Sequence, residues 1–173
     1  AVAQIFDHIS DNEEVIVSYC DYGTDWDYNT FLKDTRERNA DGAIACYKGF
    51  HPHMLGTDNY AFLKETEIGS RWMEQIQEKK PFTENRMEEY ASSGTYYFSS
   101  ARIMMDSFAA IVDRGMDLNG EYYVSLAYKY LLLNEMPVAV YPLQHFMQWG
   151  TPGDVAEYNS WSKAFKKLAQ PLR

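Results

Sequence analysis

An α/β fold built on parallel crossovers is the class this sequence predicts. Two short unbroken apolar runs, "EVIVSYC" (residues 14–20) and "AIACYKGF" (residues 43–50), have the composition of strands buried on both faces. Between them, residues 25–39 place Phe31, Leu32 and Thr35 on one side of a helix, under a cover of Lys33, Asp34, Arg36, Glu37 and Arg38. Strand, helix, strand reads as a parallel unit with a right-handed crossover. With 173 residues the chain is long enough to bury a core, and it reads as one domain, 1–173.

The elements follow in order. "AVAQIFDHI" sets Ala1, Ile5 and Ile9 at helical spacing with Val2 and Phe6 beside them, and no capping residue precedes it. A helix cut through its start predicts that the chain is the later part of a longer domain. "SDNEE" is a polar loop before the first strand. Thr24 or Asp25 is the expected cap of the following helix, with Asp27 in its first turn at the positive end of the dipole. Asp41-Gly42 is a turn, and "HPHMLGTDN" a loop. Residues 60–82 read as two strands around a turn at 68–70, and "EEYASSGTYYFSS" as an aromatic strand broken at Gly94. Residues 101–116 are an amphipathic helix through Ile103, Met104, Phe108, Ile111 and Val112, and residues 120–135 a more buried one. "MPVAVYPL" is a strand, "QHFMQWGTPGD" a loop, and residues 154–169 a closing helix with Asp154 at its N-cap.

Composition narrows the functional classes. Apolar residues make up 46% of the chain, which places it among globular proteins. A net charge of −9 argues against a nucleic-acid-binding surface, because phosphate contacts need clustered Lys and Arg. No run approaches the roughly 18 apolar residues of a membrane span, and no stretch reads as a signal peptide, so a cytoplasmic location is expected. Cys20 and Cys46 sit in strand-like runs and are expected to be buried thiols. His51 and His53 read as loop residues, since no zinc-finger spacing joins them to the cysteines.

Asp21 stands where the first apolar run ends. In open α/β sheets ligands bind at the carboxyl ends of strands, and a carboxylate there can hold a divalent cation that bridges phosphates. It can equally serve a turn. Asp25-Trp26-Asp27 also matches the short Asp-x-Asp metal motif of glycosyltransferases.

Four blocks, "VIVSYCDYGTDWDYNTF", "QEKKPFTENRMEEYASSGTYYF", "NGEYYVSLAYKYLL" and "HFMQWGTPGDVAEY", resemble in their order and spacing the sugar-phosphate nucleotidyltransferases, in particular a branch met in bacterial capsule and surface-polysaccharide synthesis. The resemblance implies a three-layer α/β/α architecture of the nucleotide-diphospho-sugar transferase type, with a mixed, mostly parallel sheet. It implies an NTP and a sugar 1-phosphate as partners, Mg²⁺ as cofactor, and attack of a sugar-phosphate oxygen on the α-phosphorus with loss of pyrophosphate. Asp21 then matches the family's metal-binding Asp. Lys80, directly before Pro81, matches the phosphate-binding Lys of a Glu-Lys-Pro block, so the sugar-binding Glu falls on Lys79 unless the register shifts by one to Glu78. Gly94 matches a glycine whose backbone lies against the sugar, and Glu121 an acid that binds sugar hydroxyls. Gln148 stands where the family has a second metal-binding Asp. The family's G-x-G-x-R triphosphate loop would lie before Ala1, so this chain alone is expected to be inactive. A glycosyltransferase and a non-catalytic sugar- or nucleotide-binding module stay open as alternatives. The sugar, the base and the oligomeric state, a homo-oligomer included, are not readable.

Overall fold

A computed structural model describes residues 2–169; Ala1 of the expected first helix lies outside them. Val2–His8 is a 3-10 helix rather than an α-helix, and it packs Val2, Phe6 and Ile9 against the core while Ile5 faces solvent. Then come β1 (Val15–Ser18), β2 (Tyr22–Asp25), α1 (Tyr28–Glu37) and β3 (Gly42–Tyr47). After a 3-10 turn at Pro52–Leu55 follow β4 (Ala61–Glu65), β5 (Met73–Glu78) and β6 (Tyr90–Phe98). The chain continues as α2 (Ala101–Asp113), α3 (Val124–Leu133), β7 (Val138–Pro142), β8 (His145–Gln148) and α4 (Pro152–Leu168).

Six strands form one mixed sheet in which β3, β4 and β1 all pair with β6, and β7 and β5 extend the two sides. β1, β3, β4 and β7 share a direction, but β6 lies antiparallel between β1 and β3, so only β3 and β7 pair in parallel. The expected crossover from β1 through α1 to β3 therefore exists with one strand interposed. Alternation of side chains divides the core into layers. Ile44, Cys46, Tyr96, Phe98, Val138 and Val140 face one way, against Met104 and Ile111 of α2 and Leu126 to Leu131 of α3. Ala43, Tyr97 and Ala139 face the other way, against Phe31 of α1 with Trp26 and Tyr141. The Tyr128 hydroxyl ties α3 to the sheet by donating to the Tyr97 carbonyl at 2.6 Å.

Several local expectations shift. The first run is not buried on both faces: Val15 to Val17 are half-buried, because β1 pairs only with β6, and Cys20 is exposed beyond the strand. Tyr22–Asp25 is a strand, so the helix starts later and Asp27 is its N-cap, accepting from Asn29 N at 2.9 Å and Thr30 N at 3.2 Å. The loop expected at residues 144–154 contains β8, which pairs antiparallel with β2. Thr151, not Asp154, caps α4, and the two share a capping box. Val112 of α2 is exposed. The hairpin of β4 and β5 forms as expected, with Ile68 fully exposed at its tip.

Candidate functional site

The sheet has a gap, and the gap makes a cavity. β1 and β4 lie on the same edge of β6: Ser18 pairs with Thr95, and Phe62 with Ala91. Ser92, Ser93 and Gly94 have no strand beside them on that edge. On the other edge the β3 register jumps from Ala45↔Thr95 to Cys46↔Ser92, leaving Ser93 and Gly94 as a bulge. Side chains satisfy the bulge: Ser93 Oγ donates to the Ala45 carbonyl at 2.8 Å, and Gly94 N donates to Ser92 Oγ at 3.1 Å. Gly94 has φ +89°, and a Cβ there would lie 2.5 Å from Cδ2 of Tyr19, so neither its conformation nor its space admits a side chain.

Above this floor is a cavity of about 440 Å³. The β2–β8 ribbon walls one side with Tyr22, Phe146 and Gln148; the ends of β1 and β5 bring Asp21, Glu78 and Lys79. It thus lies at the carboxyl end of β1, the position general for ligands in open α/β sheets. Pairing of the ribbon puts Tyr22 opposite Gln148, and Trp149 N donates to the Asp21 carbonyl at 3.0 Å. Asp21 and Gln148 consequently face the same point: a Cβ on Gly150 would lie 2.8 Å from Gln148 Nε2 and 3.1 Å from Asp21 Oδ2. Glycine keeps that space open.

Of the residues singled out in the sequence, Asp21, Glu78, Lys79, Gly94 and Gln148 converge on the cavity. Lys79 lines it and Lys80 does not, although both side chains are exposed. Glu121 lies in the turn before α3, not in its first turn, and reaches the cavity through Tyr123, whose hydroxyl donates to it. Asp25 and Asp27 do not line the cavity, and the Asp27 carboxylate is taken up by the start of α1. His51 and His53 are buried beside Tyr47 and Phe146, and the Tyr47 hydroxyl and His53 Nε2 are 2.9 Å apart. Sequence reasoning missed the hydroxyl-bearing lining of Tyr19, Tyr22, Ser92, Ser93 and Tyr123. Only "SSG" inside an aromatic strand signalled any of it.

The electrostatics are graded. Burial raises the Glu78 carboxyl, partly offset by the hydrogen bond it accepts from Ser125 Oγ and by Lys79. The Tyr123 hydroxyl, which accepts from Lys79 Nζ, raises the Lys79 ammonium against a smaller effect of burial. Among the described residues Lys79 is the one cationic side chain lining the cavity. One cation, several carboxylates and a ring of hydroxyls suit a polyhydroxylated ligand carrying a phosphate.

The fold has solved counterparts. A nucleoside-diphosphate-sugar pyrophosphorylase from Vibrio cholerae RC9 superposes with a TM-score of 0.69 at 17% identity, over 91% of this chain and 60% of its own. A Bacillus anthracis chain assigned as a glucose-1-phosphate thymidylyltransferase, solved with a sucrose, gives 0.65 at 14% identity, over 94% and 59%. These likenesses establish the α/β nucleotidyltransferase-type fold, and the chain spans about 60% of the length of the structures it matches. No protein-family model and no curated protein sequence matches it.

Proposed function

We propose that the cavity is the sugar-phosphate half of a sugar-phosphate nucleotidyltransferase site, serving nucleotide-sugar supply for surface polysaccharide. The observation that carries this reading is the convergence of Asp21, Gln148, Glu78, Lys79 and Gly94 on one cavity from four separate parts of the chain. The fold likeness is consistent with it. In the reaction, a phosphate oxygen of the sugar 1-phosphate attacks the α-phosphorus of an NTP; that P–O bond forms as the bond to the β-phosphate oxygen breaks, and pyrophosphate leaves. Lys79 binds the attacking phosphate, and Glu78, the serines and the tyrosines hold sugar hydroxyls. The work is positioning and charge neutralisation, with no protein nucleophile.

The residues present fit a Mg²⁺ ion that arrives with substrate. Among the described residues Asp21 makes no side-chain hydrogen bond that would compete, and Gln148 turned over about its amide would offer a neutral oxygen beside it. One carboxylate is the donor set of a magnesium whose other ligands are phosphates and water. Asp21 and Gln148 would hold the ion, which would supply positive charge against the phosphates. Among the described residues no three His, Cys, Asp or Glu side chains gather around a common point, so tight metal binding without nucleotide is not expected.

A screen of NTP and sugar 1-phosphate pairs, read by pyrophosphate release from the full-length protein, tests the reading. Turnover should depend on magnesium and should vanish in Asp21→Asn with the fold retained. Magnesium-dependent turnover that survives Asp21→Asn would refute the assignment.

A further inference from the structure

Glu78 and Lys79 are neighbours in sequence, yet they do not pair with each other. Glu78 turns to Ser125 in the first turn of α3, and Lys79 turns to Tyr123 at the N-cap of the same helix. Three observations bear on Lys79. Its backbone is left-handed, φ +54°, a conformation that non-glycine residues avoid and that persists only where its surroundings impose it. The backbone is pinned there by Lys79 N donating to the Tyr60 carbonyl at 2.9 Å. The ammonium lies 4.4 Å from the centroid of the Tyr123 ring and donates to the Tyr123 hydroxyl. A phenol has one proton to give, and this one goes to Glu121, so its lone pair faces the ammonium.

We propose that Tyr123, braced by Glu121, is the positioning residue of Lys79: it holds the cavity's cation aimed before the ligand's anionic group arrives. That the anion is a phosphate rests on the functional reading above. The chain Lys79–Tyr123–Glu121 fixes a long side chain that would otherwise be lost to solvent, and ordering it in advance lowers the cost of binding. Glu121 acts on the site through Tyr123 and not by direct contact.

The test compares two adjacent lysines in one molecule. Acylation of the full chain at about pH 8, below the ordinary lysine pKa, is read by mass spectrometry as the ratio of Lys79 to Lys80 modified. Only the neutral amine reacts, so loss of the Tyr123 bond should speed Lys79 alone. Tyr123→Phe and Glu121→Gln should each raise the ratio by about 3- to 5-fold, the low end of what one hydrogen bond is worth. Lys80 is the internal reference for reagent and pH, and a circular dichroism spectrum and thermal midpoint matching the wild type show that each variant is folded when the ratio is read. Ratios unchanged from wild type in both variants would overturn the proposal. Glucose 1-phosphate and inorganic phosphate should shield Lys79 but not Lys80, less well in Tyr123→Phe. If the variants raise the ratio and neither anion shields Lys79, the positioning stands and the sugar-phosphate reading falls.

Discussion

At the scale of single residues, two lysines divide what the sequence could not. "EKKP" offers Lys79 and Lys80 to the same role, and spacing from Pro81 favours Lys80. In the structure Lys79, with a left-handed backbone, lines the cavity and Lys80 does not, and on that ground we propose Lys79 for the role. Lys79→Ala should weaken use of sugar 1-phosphate by about 2–4 kcal/mol in kcat/KM, the scale for removing one member of a charged hydrogen-bonded pair, with NTP binding nearly unchanged. Lys80→Ala should be close to silent. Steady-state kinetics on the two variants side by side decides between the registers. Asp21 was legible because an apolar run that stops at a carboxylate is a local pattern. Gln148 could be placed only by likeness to a family, since nothing near it in sequence shows that it pairs across to Tyr22.

At the scale of elements, strands and helices with strong periodicity were readable, and their ends were not. The hairpin of β4 and β5, the helices α2 and α3, and β7 all form close to where the pattern sets them. The β2–β8 ribbon was missed because each strand has only four residues and holds Gly, Asp, Gln or His, and its stability comes from its partner. The bulge in β6 is the element on which the site depends. Gly94→Ala would force a Cβ into the Tyr19 ring at a φ that L-residues avoid, at a cost of about 1–3 kcal/mol. Its denaturation midpoint should fall accordingly, and the cavity floor should close with it. A Gly94→Ala protein with wild-type stability would show that the β6 bulge relaxes freely.

For the whole molecule, stability should depend on pH through a residue packed behind the cavity wall, against Phe146. His53 is buried among Tyr47, Tyr60 and Phe146, and that burial lowers its pKa to about 4, with His51 adding to the effect. The unfolded chain binds a proton at the ordinary value near 6.5, so below it the unfolded state gains protons that the folded state refuses. Stability is full above about pH 6.5 and falls as pH drops toward 4, by roughly 3 kcal/mol in all from this group. Thermal melts between pH 7.5 and about 4.5 should show this loss, and His53→Gln should flatten it. An equal slope in His53→Gln would assign the loss to other groups. By itself the sequence determined the α/β class and placed Asp21 where an apolar run stops, because these follow from local periodicity; the layered architecture was implied only by the family resemblance. Tertiary structure alone decided that β6 enters between β1 and β3, that β1 and β4 leave a gap over Ser92 to Gly94, and that Asp21 meets Gln148. Those are pairings between segments far apart in the chain. Their energy lies in shared backbone hydrogen bonds and buried faces, and no window of neighbouring residues carries it.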